Sequence, residues 1–116
     1  MIDLAINVTQ NNDWNVITLK GELDDHQSRK LTQTFNQLID ESMVKDIILN
    51  LDEVSFVDSV GLGTIAIAGK KLLEKTGHLH IVCCQKQITK MVTMSGIISA
   101  TKETIQVFDT IAEATH

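Results

Sequence analysis

A buried strand that turns directly into a helix is the feature that most constrains the fold of this chain. The apolar run 47–51 is typical of a strand that is covered on both faces. Further along, apolar residues recur at helical spacing between Leu62 and Leu73, and Gly77 suits the position after a helix end. The segment 56–63 therefore forms a strand-to-helix turn.

Ser59 falls at or near the N-cap of this predicted helix. The first free N–H groups of a helix and the positive end of its dipole can hold an anion there, including a phosphate on the serine itself. Ser59 is therefore a candidate switch residue. Taken alone, however, the pair Asp58-Ser59 before a helix is more often only a cap.

Strand-like and helix-like patterns alternate along the chain. The predicted strands are 2–8, 14–20, 46–51, 78–83 and about 104–107, and the predicted helices are one that runs to about residue 40, 60–76, about 85–94 and a last one from 109. The turn 11–13 makes a hairpin of the first two strands. The loop 21–25 offers Asp24 or Asp25 as the cap of the first helix.

This alternation implies right-handed crossovers between strands and helices packed on the sheet. We therefore predict an α/β fold with a mixed sheet of four to five strands, an N-terminal hairpin and about four helices. The chain has 116 residues, no proline and no low-complexity segment, which predicts a single domain over 1–116.

Charge and hydropathy argue against two classes of function. The formal net charge is −5, and the nearest thing to a basic patch (Lys70, Lys71 and Lys75) decorates one helix, so we expect no nucleic-acid partner. Neither a basic leader nor a run of about 18 apolar residues is present, so we expect no signal peptide, no membrane span and a cytoplasmic location. A small acidic domain with one switch needs no self-association, which favours a monomer.

The cysteines and histidines predict no metal or cofactor site. Cys83 and Cys84 are adjacent, without CxxC spacing, and we interpret both as small buried side chains on opposite faces of a strand in a reducing compartment. His78 and His80 share one strand face but have no third ligand nearby.

Three motifs make the chain resemble the STAS domain family, and within it the small stand-alone anti-sigma factor antagonists of bacteria. The segment 21–24 (GELD) resembles the loop after the second strand, and 49–63 resembles the signature strand-turn-helix. The segment 94–98 (MSGII) resembles a later helix end, where Ile97 replaces the leucine of the usual Gly-Leu pair. Together the motifs span nearly the whole chain.

The resemblance implies that Ser59 is the phosphoacceptor. Val60 stands where the family often has a second hydroxyl residue, which removes a nearby alternative acceptor. Asp58 is expected to present the hydroxyl or to contact the kinase, and not to act as a base. The residues expected to bind the partner are Glu22, Asp24, Asp58, Val60, Gly61, Leu62, Gly63 and Thr64.

The function that the resemblance implies is partner switching, without enzymatic activity of the chain itself. The unphosphorylated protein binds an anti-sigma factor that is also a serine kinase of the GHKL type, and the sigma factor is released. Phosphorylation of Ser59 dissociates the complex, and a serine phosphatase resets it. A phosphoserine adds about −1.5 to −2 charges, here beside Asp58 and close to Asp24 and Asp25 if the family fold holds.

Gly61 and Gly63 have two interpretations. They keep side chains away from the turn so that a partner's backbone or a nucleotide can approach, or they are glycines required for helix–sheet packing. The pair is not a dinucleotide fingerprint, because the third glycine and the downstream acidic residue are missing.

Two other functions compete with partner switching. In a serine hydrolase, Ser59 would be the nucleophile, but Val57 occupies the position of the first glycine of a nucleophile elbow and no histidine is placed to act as the base. Alternatively, a STAS binding module could regulate a non-sigma effector, for instance in secretion or adhesion, or bind a small ligand or nucleotide.

Overall fold

Within residues 3–115, five strands form one mixed sheet whose spatial order is the chain order. The computed structural model describes residues 3–115. The strands are β1 (Ala5–Asn11), β2 (Trp14–Leu23), β3 (Asp46–Val57), β4 (His78–Val82) and β5 (Ile105–Phe108). β1 and β2 form an antiparallel hairpin, and the pairs β2–β3, β3–β4 and β4–β5 are parallel.

In the described part of the chain, five α-helices connect or follow the parallel strands. They are α1 (Ser28–Asn36), α2 (Ser59–Glu74), α3 (Lys86–Met94), α4 (Ile97–Ala100) and α5 (Ile111–Ala114), and a π-helical turn (Gln37–Glu41) extends α1. The predicted α/β fold with an N-terminal hairpin is confirmed. The short helix α4 was missing from the prediction.

The two faces of the sheet are covered unequally. The main core, built from Ile, Leu and Val side chains with Phe35, lies between one face and the helices α1, α2 and α3. On the other face, Val16, Ile48, Val82 and Ala114 form a smaller cluster under α5. β3 contributes buried residues to both clusters, as its unbroken apolar run predicts.

Two predicted strand ends were wrong. β2 continues through 21–23, which was predicted as loop, and β3 continues through 52–57. The two extensions pair with each other, Gly21 with Val54 and Leu23 with Val57, and one register shift separates these two pairs. Polar residues within 52–55 interrupt the apolar pattern, so the sequence signal ended at Leu51 although the backbone ladder did not.

The ends of the N-terminal elements also differ from the prediction. Residue 2, where the first strand was predicted to begin, lies outside the described residues, and β1 runs on to Asn11 because 5–11 pairs with 14–20. Neither Asp24 nor Asp25 occupies the N-cap of α1, which is Gln27. Asp24 instead closes the preceding turn, where its Oδ1 accepts hydrogen bonds from the His26 and Gln27 amides.

Towards the C-terminus the corrections are smaller. α2 ends at Glu74, β4 at Val82, and β5 begins at Ile105. α5 begins at Ile111 and not at 109, because the Thr110 hydroxyl caps it by accepting a hydrogen bond from the Glu113 amide.

The cysteine interpretation was right for Cys83 and wrong for Cys84. Cys83 is buried, whereas Cys84 lies past the end of β4 and is exposed. Hydrogen bonding and charge from Asp52 raise the pKa of the Cys84 thiol, which disfavours the reactive thiolate. Within 3–115, no group of three His, Cys, Asp or Glu side chains could hold a metal ion, and no helix is both long and apolar enough to cross a membrane.

Candidate functional site

Asp58 caps α2 and defines the geometry of the predicted site. It occupies the N-cap with extended backbone angles, and its Oδ1 accepts a hydrogen bond of 2.8 Å from the Gly61 amide. Ser59 is therefore the first residue of the helix and not its cap. An aspartate at an N-cap satisfies one free amide and places negative charge at the positive end of the helix dipole.

The second carboxylate oxygen of Asp58 joins α2 to the segment between β2 and α1. Its Oδ2 accepts a 3.0 Å hydrogen bond from the Asp25 amide. The Asp58 amide in turn donates to the Leu23 carbonyl at 3.1 Å, at the end of β2. Hydrogen bonds to Asp58 thus connect Leu23, Asp25 and Gly61, and we call these four residues the Asp58 wall.

Ser59 lies beside the Asp58 wall and is exposed. Its hydroxyl makes no hydrogen bond to any of residues 3–115, nor do the backbone amides of Ser59 and Val60. The hydroxyl is therefore free to react, and two N–H groups at the start of a sixteen-residue helix are free to bind an anion.

The two glycines have different surroundings. A Cβ atom on Gly61 would lie 2.6 Å from the Leu23 carbonyl oxygen and 2.7 Å from Leu23 Cγ. At Gly63 it would meet nothing within 4 Å. Gly61 is therefore a packing glycine, which favours the second of the two interpretations for this residue. Gly63 does leave open space on the outer side of α2.

The exposed side of α2 carries apolar side chains. Val60 is 48% exposed and Ile67 is 61% exposed. Thr64 lies between them, half-buried, with its hydroxyl donating to the Val60 carbonyl. Leu62 instead packs against the main core. We call Ser59, Val60, Gly63, Thr64 and Ile67 the open face of α2.

The surroundings of Ser59 are acidic. Asp58 precedes it, and Asp25 is hydrogen-bonded through its amide to Asp58. In the described part of the chain, the only basic group that forms an ion pair with Asp24, Asp25 or Asp58 is the His26 imidazole, with Nε2 3.9 Å from Asp25 Oδ1. No lysine or arginine of residues 3–115 forms an ion pair with these three carboxylates, so a phosphate on Ser59 would add negative charge to an acidic region.

Two of the predicted contact residues have local structural roles. Glu22 lies on β2, paired with Phe56 and half-buried, and not in a loop. The Asp24 carboxylate closes its own turn, as described above. Leu23, which sequence analysis did not single out, forms the contact surface for Gly61. Its only sequence signal was its apolar character at the end of an alternating strand.

The concave regions of residues 3–115 include a small groove and a wide cleft. A groove with a volume of about 30 Å³ between α1 and α2 is lined by Phe35, Thr64 and Ile67, among others. A wider, open cleft of about 400 Å³ beyond the ends of β4 and β5 is lined by Cys84, Lys86, Lys90 and Asp109, among others, and by no residue of 56–67. The groove is large enough for about one water molecule.

The chain matches the family model of the STAS domain over residues 5–114. It therefore belongs to the STAS domain family, which confirms the resemblance. An anti-sigma F factor antagonist of Paenibacillus polymyxa is 29% identical to it over 82 residues, which cover 71% of this chain and 70% of that protein.

Solved structures show the same fold. SpoIIAA, an anti-sigma factor antagonist, aligns in its unphosphorylated form with a TM-score of 0.74 and 22% identity over 96% of this chain and 94% of the other. SpoIIAA, a cell fate determinant of Bacillus, aligns in its phosphorylated form with a TM-score of 0.72 and 25% identity over 96% of both chains.

Proposed function

We propose that this protein is an anti-sigma factor antagonist that acts by partner switching at Ser59. The observation that carries the proposal is that Asp58 has a structural role in the turn whereas the adjacent Ser59 has none. Asp58 uses both carboxylate oxygens to hold the turn, and the adjacent Ser59 hydroxyl is exposed and unbonded within the described residues. Relatives named as anti-sigma factor antagonists support the assignment.

In this proposal the unphosphorylated protein binds through the open face of α2. Val60 and Ile67 supply apolar area, and Gly63 lets a partner approach the helix backbone. The partner is an anti-sigma factor of the GHKL kinase type, which uses ATP in the cytoplasm and releases its sigma factor when the antagonist binds. We expect the chain to act as a single domain and as a monomer.

Phosphorylation of Ser59 ends the interaction without unfolding the site. The first two amides of α2 can donate hydrogen bonds to the phosphate, since Asp58 accepts from the Gly61 amide and leaves those two free. The added charge, however, joins Asp58 and Asp25 at a surface that a partner must cover. Burying such a charge without a cation costs several kcal/mol. A loss of about 3–4 kcal/mol weakens binding several hundredfold.

A serine phosphatase then resets the switch, and the chain itself performs no catalysis. In residues 3–115 no histidine is hydrogen-bonded to the Ser59 hydroxyl, which a serine hydrolase would need for general-base catalysis. The similarity of the fold to both forms of SpoIIAA supports a switch that keeps the fold unchanged.

Intact-mass analysis after incubation with Mg-ATP and an extract of the source cells tests this proposal. We expect the wild type to gain one phosphate and Ser59→Ala to gain none. Ser55→Ala is the matched control, because Ser55 is also an exposed serine of the same region and its hydroxyl donates to the Gly21 carbonyl at 3.4 Å. A phosphate that persists in Ser59→Ala, or that is lost in Ser55→Ala, would place the acceptor elsewhere.

A further inference from the structure

The strand that leads into the Ser59 turn, β3, extends beyond the end of the neighbouring strand β4. The parallel ladder between β3 and β4 stops at the pair Asn50 and Val82, whereas β3 continues for seven more residues to Val57. On the β4 side the backbone of 51–57 therefore has no strand partner. Leu51 and Val54 are completely buried, and buried carbonyl groups without hydrogen-bond partners are destabilising.

The Gln85 side chain takes the place of the missing strand. Its Nε2 lies 2.6 Å from the Val54 carbonyl oxygen, 2.9 Å from that of Asp52 and 3.4 Å from that of Leu51. The backbone amide of Cys84 adds a 2.9 Å hydrogen bond to Asp52 Oδ1. Residue 85 thus shares its two side-chain N–H donors among three carbonyls of the stretch 51–54, and residue 84 adds one backbone hydrogen bond.

The chemistry of the Gln85 side chain suits this task. A neutral amide group offers two N–H donors in one plane and adds no charge among backbone carbonyls. Gln85 occupies the N-cap of α3, but its side chain makes no capping hydrogen bond there. The side-chain amide of Gln85 therefore binds only to β3 within the described residues, and removing this amide would leave the cap of α3 unchanged.

We infer that Gln85 is a positioning residue for the Ser59 turn. The stretch it holds continues directly through 55–57 into Asp58, whose amide is fixed to Leu23 and whose carboxylate starts α2. Holding 51–54 in place therefore orients the Asp58 wall and the open face of α2 before a partner arrives. The role for partner recognition rests on the proposed function, whereas the role in holding the turn does not.

Hydrogen exchange of backbone amides tests the inference without any partner. In Gln85→Met, a substitution that keeps the length and removes the donors, we expect exchange of 53–57 to accelerate about tenfold, the effect of losing one or two net hydrogen bonds. Exchange of 47–50 should change less than about twofold. Gln87→Met is the matched control, since Gln87 is an exposed glutamine in the first turn of α3 with no hydrogen bond from its side chain to residues 3–115. Equal acceleration throughout β3, or no acceleration, would overturn the inference.

Kinetics of Ser59 phosphorylation by the kinase partner provide the second readout. If the turn is correctly oriented only part of the time, the apparent affinity falls by that fraction. We expect Gln85→Met to raise KM about five- to tenfold and to leave kcat within about twofold, with no change in Gln87→Met. An unchanged KM would refute positioning for the partner. If the wild type itself accepts no phosphate, the proposed function fails, and hydrogen exchange alone decides whether Gln85 holds the turn.

Discussion

The first turn of α2 has two sides that differ in almost every physical property. On the side of the Asp58 wall, Gly61 contacts Leu23 so closely that no side chain fits, and both Asp58 carboxylate oxygens accept hydrogen bonds. On the open face, Ser59 and Val60 are exposed, and Gly63 borders empty space.

This contrast shows how a switch can operate on a rigid fold. The side that fixes the backbone contributes stability, and the side that presents the hydroxyl contributes little to it. A modification of Ser59 can therefore change what binds to the helix without changing the helix. Substitutions on the two sides should separate stability from binding.

The largest expected effect distinguishes the two glycines. Gly61→Ala places a methyl group against the Leu23 carbonyl and side chain, so we expect the free energy of unfolding to fall by about 2–3 kcal/mol. Gly63→Ala meets no atom and removes backbone freedom from a helix, so it should be neutral or stabilising by about 0.5–1 kcal/mol. Urea unfolding of both variants measures the difference, and equal effects would contradict the contrast.

Asp58 provides the next comparison. Asp58→Ala removes both the helix cap and the link to the Asp25 amide, and we expect a loss of about 1–2 kcal/mol in unfolding free energy. Asp58→Asn keeps an oxygen for the Gly61 amide and gives up the acceptor for Asp25, so its loss should be about half as large. Thermal or urea unfolding of both variants measures the two losses in unfolding free energy. Were the two variants equally destabilised, the bond to Asp25 alone would account for the stabilisation.

A substitution of Val60, on the open face, should affect binding and not stability. We expect Val60→Ala to change the unfolding free energy by less than about 0.5 kcal/mol, because the side chain is 48% exposed. It should weaken binding of the anti-sigma factor partner about tenfold if this side chain is an apolar anchor. Calorimetric titration measures the affinity, with Val8→Ala on the edge strand β1, exposed to a similar degree at 42%, as the control. Equal affinities for the wild type and Val60→Ala would remove Val60 from the interface.

The smallest effect lies on the other face of the sheet, away from α2. His80 is buried between Trp14 and Phe108, with ring centroids at 4.6 and 4.7 Å, and its Nδ1 lies 2.6 Å from the Ala114 carbonyl oxygen. Burial lowers the pKa of His80 below the ordinary value of 6.5, an effect that the hydrogen bond to Ala114 only partly offsets.

This shift predicts a modest dependence of stability on pH. Above about pH 6.5 His80 is neutral in both the folded and the unfolded state. As the pH falls below that value, the unfolded chain takes up a proton that the folded protein does not, so stability decreases until the folded pKa is reached. The urea midpoint of the wild type should fall more between pH 7.5 and 5.5 than that of His80→Phe. Parallel falls in the two proteins would assign the pH dependence to other groups.

Sequence reasoning predicted the strand-to-helix turn around Ser59 because the signals of this turn are local. The apolar run before the turn, the acidic residue at the helix start and the helical period after it all lie within 47–73. The exchange of roles between Asp58 and Ser59 was missed because either residue can cap a helix.

What sequence reasoning could not supply depends on contacts between distant segments. Gly61 is required by Leu23, 38 positions earlier, and Gln85 bonds carbonyls 31 to 34 positions away. The local sequence pattern does not distinguish Gly61 from Gly63. Likewise, a glutamine at a helix start carries no signal of what its side-chain amide contacts. The β2 and β3 extensions were missed for the same reason. They are defined by their pairing with each other, and the apolar pattern of the sequence does not mark them.

The affinity of one partner for the protein before and after phosphorylation tests the central claim most directly. The anti-sigma factor kinase, with ADP in place of ATP so that no further transfer occurs, would be titrated with the unphosphorylated protein and with protein carrying one phosphate on Ser59. We predict an affinity several hundredfold lower for the phosphorylated form, with unchanged thermal stability. Equal affinities for the two forms would contradict the switch at Ser59.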